Sequence, residues 1–498
     1  MKHFRRFLCA LILAAVTYPV VQAEESPIPP KPTPPAAQSG GLKWHSLNIS
    51  GSFRFRTEAW DWYGGNAENT YGFNHALLKV DVGQNLENFD WHIELAAPVV
   101  FGLPDNAVAP GAQGAMGLGA NYYTSNDRST AAASVFPRQA YARWKFKAAG
   151  NPASLRLGRF EFVEGTETTP SDPVLAAVKR DRIANRILGN FAFALAQRSF
   201  DGAQISIGNQ RNFTLVALRP TRGVFQVDGL GELDIGVIYG AWTMPFKTKR
   251  TVSDFRVFGM GYDDVRPLVK VDNRPAALKN GDLTNVRIGT FGAHYITIID
   301  TAVGKFDVVM WGAGQFGSWG ALDHRASAAV GEFGWQPKNL AWRPWFRAGY
   351  SFGSGDANPT DGKHTTFFQM LATPRLYARF PFYNMQNNED AYAVAIVRPT
   401  KKLTLRSELH TLRLAERNDL WYQGGGPFQP RSFGYTGRPG GGNQGLANVW
   451  DIAADYQINQ RVGVSTYFAN SWGKGVIDSV YPKRPTARFG YVEMTYKF

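Results

Sequence analysis

The sequence predicts an all-β protein, an 18-stranded antiparallel transmembrane β-barrel with long extracellular loops. Three observations carry that reading. The segment YVEMTYKF alternates strictly, with Val492, Met494, Tyr496 and Phe498 on one face and Tyr491, Glu493, Thr495 and Lys497 on the other. A two-residue period marks a strand with one apolar side. From about His45 onward the chain repeats that pattern in short segments, and no run reaches the roughly 18 apolar residues of a membrane helix. The connections between segments alternate between tight and long, as the two sides of an outer-membrane barrel do.

Residues 1–23, MKHFRRFLCALILAAVTYPVVQA, read as a secretory signal. Lys2, Arg5 and Arg6 precede an apolar run from Phe7 to about Val16, and Val21 and Ala23 suit cleavage after Ala23. The only cysteine, Cys9, lies inside this segment, so no disulfide is expected in the mature chain. Residues 24–44 form a periplasmic lead-in. Its stretch EESPIPPKPTPPAAQSGG (24–41) is too rich in proline to build a ladder. The barrel is expected over residues 45–498.

Leu47, Ile49, Phe53 and Phe55 alternate with Asn48, Ser52, Arg54 and Arg56 in the first strand. Phe89, Trp91, Ile93 and Leu95 alternate with Asp90, His92 and Glu94 in the third. Similar segments follow, among them QAYARWKF, SLRLGRF, SDFRVFGMG, WRPWFRAGYSF and LTLRSELHTL. The inner turns are expected at ENFD, AAGNP, GNQRN, PKNL, RPTKK and INQ, with 244–252 the loosest of them. The long outer connections are expected at 99–136, 163–197, 353–390 and 414–447. Aromatic clusters such as WDWYGG, WGAGQFGSW, WRPWFRAGYSF and YFANSW suggest girdles at the two membrane interfaces. Within 171–197, Asp172–Pro173 offers a helix start and Val174, Val178 and Ile183 recur at roughly helical spacing. This segment reads as a partly helical outer loop able to fold into the mouth.

The chain carries a formal charge of +14, and removing the signal leaves 51 basic against 40 acidic residues. A midplane arginine facing lipid costs about 2–4 kcal/mol, so strand arginines are assigned to the lumen. By alternation these are Arg54, Arg56, Arg143, Lys145, Arg156, Arg343, Arg347 and Arg406, with Glu408 and His410 sharing the face of Arg406. Rings of Arg and Lys make an anion pathway. Two other arrangements are open: pairing of these arginines with lumen carboxylates such as Glu58 and Glu94, and basic outer loops that hold lipopolysaccharide.

SGDANPTDGKHTTF places Asp356, Asn358 and Asp361 somewhat as a calcium loop does, but lacks the bidentate Glu at the twelfth position. It reads as a polar turn. The eight histidines form no nucleophile–base motif, so no enzyme activity and no cofactor are expected. The expected partners are outer-membrane lipid and lipopolysaccharide, an anionic saccharide, barrel-assembly machinery engaging the strand that ends in Phe498, and periplasmic export partners. No nucleic acid is expected, and the barrel is expected to be a monomer.

LRLGRFEFVEGTET (155–168), YSFGSGDANPTDGKHTTFFQMLATPRLYARFPFYNMQN (350–387) and LRSELHTLRLAERNDLWY (405–422) resemble the alginate-export family of outer-membrane barrels. The matching features are Gly158–Arg159, Ser354–Gly355–Asp356 with Asp361–Gly362, and His410 ahead of Asp419. The resemblance implies an 18-stranded barrel in a Gram-negative outer membrane, with an arginine-rich constriction that passes anionic polysaccharide outward. It adds Arg159 to the substrate path. One departure stands out. The alginate exporter has a long periplasmic loop before its last hairpin, whereas strands 16 and 17 here join through a tight turn at about Asn459–Gln460.

Overall fold

Alternating faces become a closed wall in the computed structural model, which describes residues 41–44, 46–373, 380 and 384–498. The signal, Cys9 and the lead-in through residue 40 lie outside the described residues, as do 374–379 and 381–383. The wall has eighteen strands. They are β1 (Leu47–Asp61), β2 (Thr70–Asn85), β3 (Phe89–Phe101), β4 (Phe136–Ala148), β5 (Asn151–Phe160) and β6 (Phe200–Ile207). Then come β7 (Asn212–Pro220), β8 (Ile235–Lys247), β9 (Thr251–Asp264), β10 (Val286–Thr301), β11 (Gly304–Trp319) and β12 (Leu322–Pro337). The last six are β13 (Trp345–Gly353), β14 (Asn388–Val397), β15 (Leu403–Arg413), β16 (Gly445–Gln457), β17 (Val462–Gly473) and β18 (Thr486–Lys497). Neighbours pair antiparallel, and β18 returns to β1 from Ser52↔Lys497 to Asp61↔Arg488. Closure gives the ladder groups of every strand a partner, which a lipid environment requires.

The seam extends one residue past β18. Gly51 N donates to Phe498 O at 2.9 Å, and Phe498 N donates to Gly51 O at 3.1 Å. A β-carbon on Gly51 would run into the Phe498 ring, so this close approach needs glycine. Deleting Phe498 removes both bonds and the ring at the point of closure. The expected result is a reduced yield of assembled barrel, read as loss of heat-modifiable migration on gels. A wild-type yield would refute the seam role.

The two faces separate cleanly. Ile238, Phe291 and Met310 are 62%, 66% and 59% exposed toward lipid, while the inward Tyr239, Thr290 and Trp311 are buried. The aromatic clusters need correction on this basis. Trp60, Trp62 and Tyr63 of WDWYGG are fully buried, and Trp60 stacks on Phe489 with ring centroids 4.1 Å apart. Trp311, Trp319, Trp345 and Tyr467 also face inward, whereas Phe316, Phe346, Tyr350 and Trp472 face lipid. The two-residue period puts Trp60 on the same face as Arg56 and Glu58. About half of these aromatics therefore pack the interior rather than a girdle.

Turn lengths follow the expected alternation. Connections after even strands are short, and the one at 244–252 tightens to three residues. There β8 and β9 stay paired to Lys247↔Val252. Pro245 is tolerated because β7 stops at Thr243↔Asn212, so no neighbour asks for its missing N–H. Long outer connections span 102–135, 161–199, 354–387 and 414–444. The exception is Gly320–Ala321, which joins β11 to β12 directly. Here β10, β11 and β12 have 16 residues each, against the roughly 9–11 that cross a bilayer. The wall itself rises above the membrane where a loop would stand. The lead-in also needs a small correction, because Leu42–Trp44 turns back and pairs with β1, Leu42↔Ile49.

Candidate functional site

Asp172 accepts from Val174 N and Leu175 N, both at 2.9 Å, and caps a helix over Pro173–Val178. Proline at the first helical position costs nothing there. The helix runs into a wider turn, Lys179–Ile183, and the whole 161–199 loop bends into the lumen. Its Lys179 and Arg182 side chains are buried against the far wall. Lys179 Nζ meets Asp254 of β9 at 3.0 Å, and Arg182 Nε meets Glu332 of β12 at 2.7 Å. Arg256 of β9 reaches Glu164 at 2.8 Å and Glu167 at 3.0 Å. Arg347 of β13 bridges Asp307 at 2.6 Å and Glu332 at 2.9 Å.

The other end of the loop is held from β1. Arg54 donates to Ala192 O and Ala194 O, each at 3.0 Å. Arg56 donates to Phe193 O at 3.2 Å and lies 3.9 Å over the Phe193 ring. Strands β1 and β9–β12 are half the circuit apart, so the loop crosses the lumen as a bar. Arg198 ties the bar to two other loops by donating to Leu371 O at 2.8 Å and to Gly425 O and Pro427 O at 3.0 Å. Burial pulls this guanidinium down to about 10.

Most of the strand residues assigned to the lumen face inward, each with its own partners. Arg54 and Arg56 face inward and anchor the loop, with Arg56 also paired to Glu493 at 2.6 Å and Glu58 at 3.3 Å, while Arg347 faces inward and braces Glu332 from the neighbouring strand. Arg143 and Lys145 face inward beside Asp90, at 2.6 Å and 3.2 Å. Arg156 lies 4.0 Å over the Phe160 ring and bonds the Gln204 side chain. Arg406 pairs with Glu408, and His410 contacts Asp390 at 2.8 Å and Glu408 at 3.2 Å. Two assignments are corrected. Arg159, three residues after inward Arg156, falls on the opposite face and pairs with Asp201 at 2.6 Å. Arg343 lies in the 338–344 turn with φ +46°, outside the ladder, because β13 begins only at Trp345.

Alternation also applies to residues not singled out from sequence. Arg256 and Glu332 alternate with lipid-facing Val257 and Phe333, so period alone places them inward. Arg182 and Arg186 carry no such signal, since an outer loop has no face until it folds. A cavity of about 470 Å³ remains between β1 and β5. It is lined by Lys79, Arg138 and Arg143 together with Asp81, Asp90 and Glu94, so its charges nearly balance. Arg138 bonds both Glu94 and Glu161. The basic excess lies elsewhere. The eight inner turns hold Arg211, Lys249, Arg250, Lys338, Arg343, Arg398, Lys401, Lys402 and Arg461 against a single acid, Glu87. This collar accounts for most of the surplus of the mature chain.

The alginate-export family model matches residues 112–469. This chain belongs to the alginate-export family. It is an outer-membrane channel of a Gram-negative bacterium. Among solved structures it is similar to OccAB2 of Acinetobacter baumannii, with a TM-score of 0.54 and 11% identity over 90% of this chain and 98% of that one. OpdK of Pseudomonas aeruginosa with vanillate gives 0.53 and 9% over the same shares. OccK9 (OpdG) of P. aeruginosa gives 0.53 and 10% over 91% and 98%. These likenesses concern the fold. No curated protein matches the sequence.

Two of the motif segments of this alginate-export barrel, the Asp356 loop and Asp419, meet in its outer loops. Asp356 N donates to Asp419 Oδ2 at 2.9 Å, and Thr366 and Tyr422 donate to the same carboxylate at 2.5 and 2.7 Å. Burial pushes Asp419 up to about 7, against donors that favour its charge, and Asp356 up to about 6. Asp356, Asn358 and Asp361 each accept a backbone N–H two residues on, from Asn358, Thr360 and Lys363. One side-chain oxygen of each is thereby used in a local turn. The connection between β16 and β17 is only 458–461, so no lid of the kind found in the alginate exporter hangs there.

Proposed function

We propose that this channel passes anionic polysaccharide or oligosaccharide of the alginate-like polyuronate class outward from the periplasm. The observation that carries the reading is the basic collar on the side of the short turns, which faces the periplasm in outer-membrane barrels. A field of one sign at a channel mouth raises the local concentration of the opposite charge and its entry rate by about 10–10³. Arg143 and Lys145 stand next inside, 40% and 30% exposed, where a chain of carboxylates leaving the collar would meet them. A second reading, a porin for small anionic solutes, is supported by the bar across the lumen. It also agrees with the vanillate in the OpdK structure.

Single-channel recordings with oligouronates test both. Block should set in faster from the periplasmic face than from the outer face, and salt should weaken the difference. Changing Lys249, Arg250, Arg398, Lys401 and Lys402 together to Gln should slow periplasmic block about tenfold and leave outer block unchanged. Symmetric block in both proteins would sink the export reading. Small monocarboxylates that permeate as fast as chloride, with no oligouronate block, would select the porin.

A further inference from the structure

Where β11 and β12 rise above the membrane, two histidines meet at a place that the anion path does not use. Lys363–His364 of the 354–387 loop pairs parallel with Asp323–His324 at the outer end of β12. Both imidazoles are fully buried, and their Nδ1 atoms are 2.8 Å apart. Two nitrogens at that distance share one hydrogen, so one ring donates and the other accepts. Gln315 of β11 decides which. Phe368 orients its amide, since Phe368 N donates to Oε1 and Phe368 O accepts from Nε2, both at 2.8 Å. His324 Nε2 lies 3.3 Å from the same Oε1 and therefore carries its hydrogen. His324 Nδ1 is then the acceptor and His364 Nδ1 the donor. His364 Nε2 has no hydrogen-bond partner among the described residues, and Trp319 stacks on that ring with centroids 4.1 Å apart.

We propose that His324 and His364 form an acid-sensitive latch, which holds the 354–387 loop to the outer wall at neutral pH and frees it when the external medium turns acidic. An imidazolium carries a hydrogen on both nitrogens, so the contact does not survive in the doubly protonated pair. A single proton would be buried without a counter-charge. Asp272 is committed to Arg274 at 2.8 Å and to Trp319 Nε1 at 2.9 Å, and Arg274 also holds Asp282 at 2.9 Å. Asp323 pairs with exposed Arg325 at 3.0 Å, and Asp361 accepts from the backbone N of exposed Lys363. Phe368 and Phe433 meet the Trp319 ring edge-on and bring no charge. Burial, then His324 and Arg274, hold the His364 imidazole well below its usual range. Docking is therefore favoured above about pH 6.5, where a free histidine is neutral, and loses that advantage as pH falls. Two such groups shift the equilibrium about 10³-fold toward release between about pH 7.5 and about pH 5. The same loop braces the bar, as Leu371 N donates to Ile187 O and Gly189 N to Leu371 O, both at 2.9 Å. Release at His364 thus loosens the cover of the lumen.

The test uses the full barrel in planar bilayers, with only the outer compartment acidified. Wild-type conductance should rise reversibly, with a midpoint at about pH 6. The double variant His324→Asn, His364→Asn keeps a donor and an acceptor at the contact but takes up no proton, so its conductance should stay flat. A wild type that does not respond overturns the latch. So does a double variant that responds as the wild type does, which would assign the effect to a carboxyl such as Asp419. Should the double variant fail to assemble, diethylpyrocarbonate labelling of the wild type, mapped by peptide mass, decides. His364 should be protected at about pH 7.5 and labelled at about pH 6, with the buried His294 protected at both. Equal labelling of His364 at the two pH values, or labelling of His294 together with it, would overturn the proposal.

Discussion

A Glu332→Gln barrel is expected to insert normally and yet lose the bar across its lumen. Glu332 is fully buried on β12 and meets Arg182 at 2.7 Å, Arg347 at 2.9 Å and Arg186 at 4.0 Å. An amide of the same shape keeps an acceptor but removes the charge that balances them. Breaking one side of a buried ion pair typically costs about 3–5 kcal/mol. The wall does not feel this loss, because its strands are held by the closed ladder. The docked loop does, since Arg182 and Arg186 belong to it. Trypsin should then cut at Lys179 or Arg182, which are buried in the docked state, and single-channel conductance should rise and become noisy. Unchanged conductance with no cleavage would mean that packing rather than charge holds the loop.

The second large effect is expected at the opposite wall. Changing Arg54 and Arg56 together to Gln removes three charged hydrogen bonds to the 192–194 backbone. Each is worth about 1.5–3 kcal/mol, enough together to shift the docked loop by several powers of ten. Conductance should increase markedly. Glu493 and Glu58 would also be left without their arginines, so reversal potentials in a salt gradient should move toward cation preference. If selectivity changes at constant conductance, these arginines line the path and do not hold the bar.

The contrast between those outcomes marks how much of the fold was legible in the sequence. Eighteen strands and the side of each connection followed from the two-residue period and from turn length. Both are imposed by the wall and the bilayer, whatever fills the interior. The same period placed Arg54, Arg56, Arg143, Arg156, Arg347 and Arg406 inward, whereas Arg159, which the family resemblance assigns to the substrate path, shares the outward face of Leu157. Only the family motif argued otherwise for Arg159. Arg343 was lost because Trp342 and Arg343 take left-handed backbone angles, which end the ladder before the pattern does. What periodicity does not carry is the occupant of the lumen. Alternation points Arg54 inward, but contacts between residues 54 and 194, or 182 and 332, have no local signature.

The bar has an electrical property of its own. Residues 161–199 contain Lys179, Arg180, Arg182, Arg186 and Arg198, and also Glu161, Glu164, Glu167, Asp172 and Asp181. Moving one elementary charge through 100 mV is worth about 2.3 kcal/mol. A loop with five charges of each sign that swings as a unit carries no net charge through that field. Voltage is therefore a poor lever on it, whereas an anion that competes for Arg182 or Arg54 acts on its anchoring contacts directly. Of the two kinds of gate a charged loop can form, this one is built to answer to chemistry.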